Sequence, residues 1–67
     1  MPCTIQKVAE DQYKVAGFLQ SMPKVACVVT FERGIARVTQ RVNTTETCWD
    51  QHAIQAVQTA IFFNAVG

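Results

Sequence analysis

Between residues 25 and 42 two apolar-rich runs flank Arg33-Gly34, and nearest that dipeptide their apolar and polar positions alternate. The flanking runs, VACVVTFE (25–32) and IARVTQRV (Ile35–Val42), are rich in β-branched residues and predict a β-hairpin. With Arg33-Gly34 as a two-residue loop, Phe31 faces Ala36, Val29 faces Val38, Cys27 faces Gln40 and Val25 faces Val42. That face is almost wholly apolar, while Glu32/Ile35, Thr30/Arg37, Val28/Thr39 and Ala26/Arg41 share the other. One register sorts both strands at once, which supports it, because a one-residue slip would invert every side chain. Arginine is unfavourable at the first position of a primed turn, so a longer, bulged turn is the alternative.

The period changes to that of a helix over residues 45–63. Asn43-x-x-Glu46 and Thr47-x-x-Asp50 both have the form of a capping box. Trp49, Ala53, Ala56, Val57, Ala60 and Phe63 fall on one stripe, widened by Ile54 and Ile61. Trp49 is expected to plug the core where helix meets sheet, with a partner for its indole N–H.

Residues 3–19 read two ways. As strands 4–9 and 12–19 they form a hairpin across Glu10-Asp11, with Lys7 opposite Lys14. As a helix from Asp11, the residues Val15, Phe18, Leu19 and Met22 share a face and Pro23 stops it. The expected fold is α+β: a small antiparallel sheet covered on one face by a long C-terminal helix, in the order ββββα. A ferredoxin-like βαββα order is the alternative. In that alternative the stretch Leu19-x-x-Met22-Pro23-x-Val25 through Arg33-Gly34 resembles, in outline, the helix-to-hairpin part of heavy-metal-associated copper-chaperone domains. That family's paired-cysteine metal loop is missing from this chain, and no metal function follows from the likeness.

Composition bounds what such a domain can be. A chain of 67 residues is one compact domain, residues 1–67. Burial of about 60% of its extended surface stabilises by roughly 100 kcal/mol. Ordering the chain costs roughly the same. A lone monomer is therefore marginal, and a homo-oligomer or partner is expected. Hydrophobic residues make up 49% and charged residues 16%, which argues against disorder. The net charge of +1 supplies no global field for nucleic acid or anionic membrane. The uncharged stretch 51–67 is too polar and too short for a membrane span. The N-terminal residues show no secretory pattern, and three widely spaced cysteines are not a disulfide framework. A cytoplasmic setting is the expectation.

Candidate chemistry is sparse. Cys48 and His52 are four apart on the expected helix, but two ligands are not a metal site. The same pair lacks the orienting group and oxyanion hole that nucleophilic catalysis needs. No phosphate loop or carboxylate pair is present, so neither an enzyme nor a cofactor is expected.

Two surfaces remain. Gln51, Gln55, Gln58, Thr59 and Phe62 lie opposite the apolar stripe. A helix face without charge but with a central aromatic has the composition of an interface core. Two such helices packed antiparallel would satisfy the glutamines mutually. The second surface is a basic sheet face of Arg37, Thr39 and Arg41 with Lys24 and Arg33 nearby, an arrangement able to bind phosphate or carboxylate. No aromatic is interleaved there to stack bases.

The expectation is a non-enzymatic protein-binding module of inhibitor or adaptor type. It would self-associate as a dimer through its C-terminal helix and engage a larger protein by its sheet or edge. Compact domains of this length are frequent among phage and mobile-element accessory proteins that block host or defence complexes, which sets the expected kind of target. The alternative is a binder of an anion, nucleotide or nucleic acid through the basic face.

Overall fold

A computed structural model describes residues 3–66. Four strands precede one helix: β1 (Thr4–Ala9), β2 (Gln12–Ala16), β3 (Ala26–Glu32), β4 (Ile35–Val42) and α1 (Asp50–Phe62). The strands form an antiparallel sheet in the order β1-β2-β3-β4. The order is ββββα, and the ferredoxin-like alternative is not formed. The residues that would have opened its first helix extend β2, which ends before Gly17 in the left-handed region (φ 75°). Leu19 is buried in the β2–β3 connection, where successive turns bond Met22 N–H to the Leu19 carbonyl and Val25 N–H to the Met22 carbonyl.

The Arg33-Gly34 loop is the short one. Both residues have positive φ (53° and 79°), and Glu32 pairs with Ile35 directly across it. The register from Glu32/Ile35 to Val28/Thr39 is the one the alternation predicts. Beyond Thr39 it shifts, and Ala26 pairs with Val42 instead of Arg41. Gln40, at φ 50°, is the extra residue of a β-bulge. Every later β4 side chain therefore changes face. Val42, expected on the core face opposite Val25, is about half exposed on the open face (47%).

A second bulge corrects the β1–β2 register. Val8 is skipped, so Lys7 faces Tyr13 and Gln6 faces Lys14, and Lys7 does not meet Lys14. The reason is packing. A regular ladder would put Gln6 on the core face and Ile5 outside; the bulge puts Ile5 (8% exposed) beside Val15 and leaves Gln6 in solvent. The Lys7 ammonium now lies 6.0 Å from the Tyr13 ring centre, a cation–π distance.

The core is Ile5, Val15, Cys27 and Val29 from the sheet against Ala53, Val57 and Ala60 from α1. Tyr13 and Phe31 flank it as an edge-to-face pair with centroids 5.8 Å apart. The small residues of α1 let the helix lie close on the sheet, and α1 covers one face only.

α1 begins later than the capping signals predict. Asn43 takes a left-handed conformation (φ 64°) and donates its side-chain amide to the Lys24 carbonyl at 2.7 Å. Thr44 Oγ1 accepts the Glu46 N–H, which makes a local turn. Trp49 occupies the N-cap position without a side-chain cap. The C-terminus is a Schellman arrangement. Asn64 sits at φ 54°, Ala65 N–H bonds the Ala60 carbonyl, and Asn64 N–H bonds the Ile61 carbonyl. The reversal carries Val66 back onto the core.

Candidate functional site

The uncharged helix face is built as expected. Gln51, Gln55, Gln58 and Thr59 are all exposed. Phe62 is 82% exposed, the most exposed of the large apolar side chains. Phe63 departs from expectation. The stripe would bury it, yet it is 69% exposed, because α1 ends at Phe62 and the reversal at Asn64 turns the chain away. The two rings pack edge-to-face, with centroids 5.1 Å apart. Ile61 is also 43% exposed.

This aromatic pair adjoins a groove that sequence reading missed. Cys3 and Ile5 at the start of β1 form one wall, and Ala56, Thr59, Ala60, Phe63 and Ala65 form the other. The groove is shallow, about 350 Å³, and carries no charged side chain. Asp50 at the start of α1 bonds Arg41 of β4, while Ala60 and Phe63 at its other end line this groove with Ile5 of β1. That placement of the helix across the sheet is a tertiary fact, and no local pattern announces it.

The basic face is dispersed. Arg37 and Thr39 lie on the open face, where Thr39 Oγ1 meets Thr30 Oγ1 at 3.2 Å. Arg41 does not join them. The Gln40 bulge turns it to the helix side, where its Nε donates to Asp50 Oδ1 at 3.0 Å and its Nη2 to Asp50 Oδ2. These bonds raise the Arg41 pKa above its already high ordinary value, since they favour the charged form. Asp50 opens α1, so the fork also places a carboxylate at the positive end of the helix dipole. Arg37 pairs with Glu32 in an exposed ion pair. Lys24 and Arg33 are exposed in separate loops and make no ion pair among the described residues.

Trp49 is half-buried and packs edge-on against His52, with centroids 5.9 Å apart. It lies outside the central cluster, and its buried Nε1 has no hydrogen-bond partner among the described residues. Cys48 precedes α1, so it does not share a helix turn with His52. Burial, chiefly, pushes the Cys27 thiol up to about 11, and nearby Asp50 adds to the shift. Cys3 is raised by burial as well. Among the described residues no group of three metal-ligating side chains forms, and no helix is long and apolar enough to cross a membrane.

No known family model, curated protein or solved structure matches the chain.

Proposed function

We propose that this chain is a non-enzymatic protein-binding module, of inhibitor or adaptor type, that self-associates through the exposed face of α1. The observation that carries the reading is Phe62. A phenylalanine 82% exposed, packed edge-to-face with a second one 69% exposed, ends a helix face that has no charge. Large aromatics bury roughly 200 Å² each at interfaces, and an uncharged surface around an aromatic anchor is the composition of an interface core. The open sheet face, bearing the exposed Val8 and Val42, is where a larger protein target of the host or defence kind would bind. Such a module works by occlusion and needs surface, not a reaction centre.

Binding of an anion has less support. Two of the four cations of the basic face already meet carboxylates, Arg37 with Glu32 and Arg41 with Asp50.

The test is absolute mass by light scattering at low and high salt, for the wild type and for Phe62→Glu. The wild type should be a dimer at both salt concentrations, since apolar contacts are not screened. Phe62→Glu should be a folded monomer with an unchanged circular dichroism spectrum. A monomeric wild type, or a glutamate variant that keeps its assembly, would overturn the reading.

A further inference from the structure

The open face of the sheet holds a hollow. A recess of about 300 Å³ crosses it from Val8 on β1 to Val42 on β4, with Ala26 and Val28 of β3 between them and Gln40 beside Val42. Val8 and Val42 are half exposed, and Val28 is buried. Both bulge residues, Val8 and Gln40, line the recess. A bulge bends its strand and increases the local twist, which accounts for a hollow in a face that a regular sheet would leave flat. A second recess, about 320 Å³, is lined by Met22, Pro23, Lys24, Val25 and Asn43, where β3 begins and β4 stops. It adjoins the first, because Val25 and Asn43 are the chain neighbours of Ala26 and Val42, which pair across the two strands.

Charge identifies the occupant. Each recess carries one charged side chain, Lys14 in the first and Lys24 in the second. Both lysines are exposed, and neither has an ion-pair partner among the described residues. No carboxylate lines either recess. Glu32 and Asp50 are held by Arg37 and Arg41, and Glu10, Asp11 and Glu46 lie outside the strands and α1. A lysine beside an apolar floor attracts a carboxylate more strongly than one in open water, because the floor excludes solvent from the pair. The chemistry that fits is a carboxylate flanked by apolar groups, presented twice.

Other occupants fit less well. A second copy would bring this face's lysines against lysines. Two cations fall short of the roughly four to eight that hold a protein on an anionic membrane. Neither recess is lined by an aromatic, so nucleic acid finds no stacking platform. A small carboxylate would fill one open recess and leave the other empty, whereas a polypeptide spans both.

We infer that the open sheet face binds an acidic segment of another protein, its apolar side chains in the two recesses and its carboxylates at Lys14 and Lys24. The inference rests on the protein-binding reading above and names the chemistry of the target. The helix covers the opposite face of the sheet, so the exposed side of α1 stays free for self-association.

Amide chemical shifts of the isotopically labelled protein test it. The probe is a short capped peptide with glutamates interspersed among leucines. It should shift Lys14, Val28, Val42 and Asn43 and leave Gln55 and Phe62 unmoved. Its dissociation constant should rise about 10-fold or more in Lys14→Glu/Lys24→Glu, where attraction becomes repulsion at both positions. It should also rise with salt. Both lysines are exposed, so the variant keeps its fold, which circular dichroism checks. A lysine–leucine peptide that binds this face as tightly would overturn the acidic partner and leave a protein-binding face standing. No shift with either peptide would overturn both, and shifts confined to α1 would overturn the site. Phosphatidylglycerol vesicles that sediment the protein, with no shift from the peptide, would assign the face to a membrane instead. Self-association is read separately by light scattering, and neither result depends on the other.

Discussion

Arg33 shows how one residue can be locally wrong and still hold. It sits at φ 53° in the first position of the β3–β4 turn, a conformation that costs a side chain other than asparagine or aspartate about 1 kcal/mol or more. The strands on either side overrule it. Arg33→Asn should therefore stabilise the protein by about 0.5 kcal/mol, read as a higher urea midpoint. Cys27 carries the opposite kind of information. Its thiol, buried under α1, is pushed up to about 11 from an ordinary 9.0. The fold thus favours the neutral thiol. Its contribution is fully present below pH 9 and is lost as pH rises from 9 toward about 11. Urea midpoints measured from pH 8 to 11 should fall less steeply in Cys27→Ala than in the wild type; parallel curves would show that folding does not shift the Cys27 thiol.

At the scale of the element, bulges decide which residues do what. Gln40 is the clearest case. Residues 39–42 read Thr-Gln-Arg-Val, and three polar positions in a row contain no apolar residue to mark a change of face. A regular strand would leave Arg41 beside Arg37 in solvent; the bulge delivers it to Asp50 instead. Deleting Gln40 should restore the ladder, separate Arg41 from Asp50 and lower the melting temperature by several degrees. Gln40→Gly should keep the bulge and be neutral or better, because glycine adopts positive φ without penalty. Equal losses for the two changes would mean that the bulge does not hold Arg41 in place. The Val8 bulge is more legible, because the alternation of Ile5 with Gln6 conflicts with that of Tyr13 and Val15 unless one residue is skipped. The missed N-terminus of α1 has a similar cause. Asn43 and Thr44 are good capping residues, but a competing bond to the Lys24 carbonyl and a local turn use up their side chains.

For the whole molecule, exposure is the governing quantity. The chain presents 4688 Å² to solvent, about a tenth more than the roughly 4,200 Å² usual for its mass. Much of the apolar part sits in one place, at the meeting of the α1 C-terminus with the edge of β1. A small domain whose burial barely offsets its chain entropy gains most by covering such a place. Association should consequently be visible in stability as well as in mass, with the melting temperature rising with protein concentration for the wild type but not for Phe62→Glu.

Local chemistry favoured the order ββββα over βαββα and a two-residue β3–β4 turn over a bulged one, and it placed Ala53, Val57 and Ala60 inward on α1 and the uncharged face around Phe62 outward. Each follows from periodicity or from the conformational preference of a few adjacent residues. Tertiary structure alone decided the rest: that Arg41 serves α1 and not a basic patch, that Phe63 stays in solvent, and that the edge of β1 and the end of α1 make a single groove. Those depend on bulges and on the angle at which the helix crosses the sheet. Both are set by how the buried side chains of different elements fit together, which is a property of the packed whole and of no segment by itself.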